Sequence, residues 1–138
     1  MNRLFFALLF AVQMWAIPAA HADEQTTTKW RGYIIDRQCA DSVRHDTDPL
    51  PFLKHHSKDC SLMPSCKRDG YSLYTDGQWL DLNKKSSTSV FQAIKASKRK
   101  KGFYAEVAGK VEDKLVTVEK VTEIEEPEQP AEGRSEAK

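Results

Sequence analysis

The chain has 138 residues, with 21 lysines and arginines against 20 aspartates and glutamates and a net charge of +1. That length suits one domain with a modest core, and the balanced charge excludes a broadly basic nucleic-acid binder. Nowhere does an apolar run reach the roughly 20 residues that a membrane-crossing helix needs.

Residues 1–22 read as a secretory signal peptide. Arg3 supplies the positive start, Leu4 to Val12 the apolar run, Pro18 a helix break, and Ala20-His21-Ala22 a cleavage signal. The expected product begins at Asp23 and is exported to the periplasm or outside the cell. Asp23, not a cysteine, stands directly after the cleavage point, so no lipid anchor is expected, and the short apolar run gives no transmembrane anchor either. Residues 23–28 read as a flexible leader, 29–124 as the single domain, and 125–138 as a disordered acidic tail with Pro127, Pro130 and almost nothing apolar to bury.

Within the domain, Lys29 to Asp36 is rich in β-formers and predicts strand one. Tyr71 to Thr75 and Trp79 to Leu82 flank Asp76-Gly77-Gln78, a hairpin signal that predicts strands two and three. A helix is expected over Ser86 to Lys98, where Val90, Ala93 and Ile94 recur at helical spacing, with Gly102 as the stop. Phe103 to Val111 alternates, with Phe103, Ala105, Val107, Gly109 and Val111 on one face. It turns at Glu112-Asp113-Lys114 into a fifth strand, Leu115 to Ile124. The order β-β-β-α-β-β predicts a mainly β domain with one helix, a small five-stranded OB-like barrel.

Between strands one and two, Gln38 to Asp69 reads as a long loop, and connections of that length usually have a functional or covalent reason. It holds all three cysteines and three of the four histidines. The order is Asp36-x-x-Cys39, then His45, then His55-His56-x-x-x-Cys60-x-x-Met63-x-x-Cys66. Thiol, imidazole and thioether groups suit Cu(I) or Zn(II) better than the oxygen-seeking Mg or Ca. Cys39, His56, Cys60, Met63 and Cys66 are therefore candidate metal ligands. Pro64 interrupts any helix that would align them.

An exported domain equally predicts a disulfide between two of Cys39, Cys60 and Cys66, leaving one thiol over. The residues also have plainer readings. His45 and His55 suit an exposed turn, Met63 a core gap, and Asp36 a hydrogen-bond acceptor for the turn after strand one. Trp30, Tyr33, Tyr71, Tyr74 and Trp79 suit core and cross-strand packing better than a base-stacking platform.

The pattern resembles a family of small exported bacterial proteins without an assigned function. The shared elements are Gly32 to Cys39, His56 to Cys66 with its H-x-x-x-C-x-x-M-P-x-C spacing, Gly70-Tyr71, Thr75-Asp76-Gly77, and the late hairpin from Ala105 to Ile124. The resemblance implies that Cys39, His56, Cys60, Met63 and Cys66 belong to one constellation, and it implies no reaction. Arg68-Asp69 before Gly70 departs from the small residue expected there.

The leading expectation is a non-enzymatic secreted domain whose Cys/His/Met loop is disulfide-bridged or binds Cu or Zn. A thiol-disulfide redox protein using Cys60 and Cys66 is the first alternative, although redox dithiols usually sit two residues apart. The second is a binding module that uses Lys98, Arg99, Lys100 and Lys101 against anionic polymers; a basic helix end is more often a solvated surface. Hydrolase and phosphate-binding motifs are absent from the sequence.

Overall fold

A computed structural model describes residues 26–127. The expected signal peptide, the first half of the leader and the tail beyond Pro127 lie outside them. Five strands form one antiparallel sheet: β1 (Thr28–Asp36), β2 (Tyr71–Thr75), β3 (Gln78–Asp81), β4 (Tyr104–Glu112) and β5 (Leu115–Glu123), in the spatial order β3-β2-β1-β4-β5. Both tight hairpins turn through two residues of positive φ, Asp76 and Gly77 in one and Asp113 and Lys114 in the other. That geometry matches the right-handed twist of the strands. On β4 the expected alternation holds through Gly109, and a bulge between Ala108 and Gly109 leaves Val111 exposed.

The expected barrel gives way to an open sheet. β3 has only four residues before the chain turns into a 3-10 segment, Lys84–Ser86, so the two outer strands meet at one parallel bridge, Leu82 with Val116, rather than along a ladder. The expected single helix is one of five among the described residues. The region read as a long loop folds into α1 (Arg37–Val43), α2 (Leu50–His55), α3 (Lys58–Ser61) and α4 (Pro64–Asp69). Its starts are built locally: Asp36 and Ser57 cap α1 and α3, while Pro51 and Pro64 occupy the first two positions of α2 and α4. Proline is tolerated there because those N–H groups have no helical acceptor. Thus Pro64 ends one short helix by beginning the next.

The fifth helix, α5 (Ser87–Ala96), stops short of the expected Lys98. Lys58 Nζ donates to the Lys95 and Ser97 carbonyls at 2.8 and 2.6 Å, taking over carbonyls at the helix end. Val90 and Ile94 of α5 close the inner face of the sheet over Ile34, Tyr71, Leu73, Ala105, Val107 and Val116. On the outer face Tyr33 and Ile35 pack with Ala40 of α1 and Leu53 of α2. β1 is therefore covered on both sides, and Gly32 to Asp36 are all buried. A side chain at Gly32 would overlap the Tyr74 carbonyl of β2.

Past β5, Glu125–Pro127, read from sequence as the start of the tail, return to the outer face. The Glu126 carboxylate accepts from the Tyr33 hydroxyl and pairs with Lys54 at 2.9 Å. Among the described residues no helix is long and apolar enough to cross a membrane.

Candidate metal centre

Asp36 stands at the end of β1 on the inner face, opposite Tyr71 and fully buried. Its Oδ1 accepts from the Cys39 backbone N–H at 3.0 Å, which starts α1 and places the Cys39 thiol on the first turn. The same device recurs 21 residues later: Ser57 Oγ accepts from the Cys60 N–H at 3.2 Å and starts α3. Two D/S-x-x-C caps thus bring two thiols together, with Sγ atoms 3.8 Å apart.

His56 completes the group from the junction of α2 and α3. Its backbone is pinned to the segment entering β4. Gly102 N–H donates to the His56 carbonyl at 3.0 Å, Lys58 N–H donates to the Lys100 carbonyl at 2.9 Å, and Ser57 bridges Lys101. Gly102 has φ +64°, and a side chain there would meet the Lys54 carbonyl at 2.7 Å, so the close approach requires glycine. On the ring, Nδ1 is 3.3 Å from Ser61 Oγ and Nε2 is 3.2 Å from Asp36 Oδ2.

That last contact lacks hydrogen-bond geometry, so Asp36 Oδ2 and His56 Nε2 are both buried without a hydrogen-bond partner. Buried polar atoms are rarely left so, because the desolvation cost is about 1–3 kcal/mol each. Donor atoms of Asp36, Cys39, His56 and Cys60 all lie within 4.8 Å of one another. A tetrahedral zinc ion has Zn–S distances of about 2.3 Å and Zn–N and Zn–O distances of about 2.0–2.2 Å, which set an S···S edge of about 3.8 Å and an N···O edge of about 3.3–3.5 Å. The observed S···S distance of 3.8 Å matches its edge, and the N···O distance of 3.2 Å falls just short of its own. Ser61, on the far ring nitrogen, stands where an outer partner would orient the imidazole if it were to ligate.

Burial alone would raise the Asp36 carboxyl, yet its neighbours His56, the Cys39 N–H and the Cys66 thiol outweigh that and hold it below the usual aspartate value. Burial pushes the Cys39 thiol up, and the Asp36 carboxylate pushes it further. A bound cation would reverse that, since a coordinating thiol is deprotonated outright.

Of the residues expected from sequence, the structure gathers Cys39, His56 and Cys60. Cys66 is 1% exposed beside Asp36, outside the group of four, with its thiol pushed up to about 11 by burial and that carboxylate. Met63 lies at the start of α4 and is 45% exposed. His45 and His55 are exposed. No disulfide joins the described cysteines. In the basic run, Arg99 is held by Glu123 at 3.0 Å and Glu125 at 2.7 Å, whereas Lys98, Lys100 and Lys101 are exposed. Tyr33, Tyr74, Trp79 and Tyr104 form a cross-strand row on the outer face, and Tyr71 is buried on the inner one, so the five aromatic residues read from sequence share no platform. Sequence reasoning gave Asp36 only the turn; the signal that could have added it is D-x-x-C at a strand end, which leaves the second carboxylate oxygen free to ligate.

Ser61, His56 and Asp36 also form the outline of a nucleophile–base–acid chain. Ser61 is 3% exposed, and the cavity beside it, between His56, Lys58, Ser97, Arg99 and Phe103, has a volume of about 10 Å³. That holds one water molecule and no substrate. No family model, curated protein or solved structure matches this chain.

Proposed function

We propose that the protein is a non-enzymatic, exported metal-binding domain in which Asp36, Cys39, His56 and Cys60 hold one thiophilic ion, Zn(II) first and Cu(I) second. The observation that carries this reading is the buried pair Asp36 Oδ2 and His56 Nε2, which face each other at 3.2 Å without a hydrogen bond, set beside two thiols at the S···S edge of a tetrahedron. Two thiolates favour a soft or borderline ion over Mg or Ca. The scaffold is read as an OB-like sheet, supported by its strand order and by the Leu82–Val116 bridge between its outer strands.

The test is metal content and cobalt spectroscopy of the reduced protein. One ion per chain is expected, with intense near-ultraviolet thiolate-to-cobalt bands on Co(II) substitution. Joint Cys39→Ser and Cys60→Ser substitution should remove both signals. Unaltered Zn(II) and Cu(I) affinity in that double variant would sink the reading.

A second reading is a structural Cys39–Cys60 disulfide, favoured by the same 3.8 Å separation. It predicts loss of two hydrogens in the intact mass of the denatured protein, with Cys66 alone alkylatable after denaturation.

A further inference from the structure

Resting on the metal reading above, we infer that the site is a redox-discharged one: the two sulfurs that hold the ion also expel it by joining to each other. Three observations carry this. First, the Cys39 and Cys60 sulfurs are 3.8 Å apart, and a disulfide needs about 2.05 Å. Less than 2 Å of approach separates the two states. Second, Cys39 and Cys60 are partly exposed whereas Cys66 is buried, so an oxidant reaches the pair and not the third thiol. Third, α3 is a single turn of four residues between His56 and the Pro64 start of α4, so Cys60 can shift without displacing a long element.

The oxidant is a disulfide, small or protein-borne. The Cys60 thiolate attacks one of its sulfurs, forming a mixed disulfide and releasing one thiolate. The Cys39 thiolate then attacks the Cys60 sulfur, closing the Cys39–Cys60 bond and releasing the second thiolate. Two electrons pass from the protein sulfurs to the oxidant, which leaves as two thiols after protonation. The ion keeps only Asp36 Oδ2 and His56 Nε2, half of its donors and neither of its thiolates, and it departs. Reduction by a dithiol reverses the sequence and restores the site. Binding and bridging, the two readings of these cysteines, become the two states of one device.

The experiment treats the zinc-loaded full chain with oxidised glutathione in the presence of a chromogenic zinc chelator, and follows intact mass in parallel. One zinc ion released for each two hydrogens lost is expected, with the new bond mapped to Cys39–Cys60 and Cys66 still alkylatable after denaturation. Dithiothreitol and added zinc should restore the starting mass. Cys66→Ser should keep the one-to-one stoichiometry. Formation of the Cys39–Cys60 bond with the zinc retained, arrest at a mixed disulfide, or release that requires Cys66 would each overturn the inference while leaving the metal site standing. A reduced protein that binds no zinc at all would overturn the metal reading and this inference together.

Discussion

The sheet and the helical segment 37–69 are held by different forces, although they share β1. The sheet owes its order to apolar burial on the inner face, where Ile34, Leu73, Val90, Ile94, Ala105, Val107 and Val116 are nearly inaccessible. Each valine, leucine or isoleucine among them contributes about 1.5–3 kcal/mol. The segment has few apolar anchors, chiefly Ala40, Val43, Leu53 and Cys66. Caps and polar ties do the rest, among them Arg44 to Asp81 at 2.7 Å, Gln38 to Asp69 at 2.8 Å and Arg37 Nη2 to the Leu82 carbonyl at 2.8 Å. An apolar sheet can form without an ion; a chain of capped single turns gains most from one.

Four measurements would break or sharpen that contrast. The largest effect belongs to Gly32→Ala, whose new methyl overlaps the Tyr74 carbonyl and prevents β1–β2 pairing. A loss beyond about 4 kcal/mol is expected, seen as the absence of a cooperative thermal transition. Next, Leu73→Ala should cost about 2–5 kcal/mol in urea denaturation, equally with zinc or with a chelator present. If the chelator changes that cost, the two regions are not separable.

Zinc itself should act on the segment. At a free concentration 100 times its Kd it stabilises the fold by about 2.7 kcal/mol, and added hydrogen-exchange protection should concentrate in residues 37–69. Joint replacement of Cys39 and Cys60 by serine should abolish the gain and leave protection of the sheet as it was. Protection spread evenly over β4 and β5 would contradict the contrast.

The smallest effect concerns the tie between the regions. Burial alone would raise the Asp81 carboxyl, but Arg44 and Ser72 outweigh it and hold it below the ordinary value. A carboxyl depressed in the folded state stabilises the fold above its unfolded value of about pH 4, and that contribution fades as the pH falls through the folded value. Wild type should therefore exceed Asp81→Asn by about 1 kcal/mol or less at neutral pH, with the gap closing below about pH 4. A gap unchanged down to pH 2 would show that Asp81 acts by shape alone.

The strands were legible because each carries a signal of its own. Tyr71 to Thr75 has a β-rich run with Asp76-Gly77 behind it, and Phe103 to Gly109 alternates at the strand period. The segment was not, because short helices lack the length for an apolar stripe to show. α3 offers only Ser57-x-x-Cys60, and α4 begins with Pro64, which reads as a breaker. Three of the four proposed donors were visible as soft ligands. Asp36 was hidden by its own cap, since one oxygen explained the residue and left the other unasked for. Met63 and Cys66 have the right chemistry by sequence, and their positions are decided by packing: one side chain is turned outward at the start of α4 and the other buried below it.

The backbone brace on His56 bears on any attempt to excise this site. A synthetic peptide spanning residues 36–66 would contain every proposed donor atom, yet Lys100, Lys101 and Gly102, which hold the backbone on either side of the imidazole, would be missing. Such a peptide would have to order itself around the ion and would lose affinity in proportion to that ordering. In the intact chain much of that ordering is done by the approach to β4. The smallest unit that keeps the brace therefore includes the segment entering β4, and a graft of the cysteine motif onto another scaffold would need to bring a comparable backbone segment to stand behind His56.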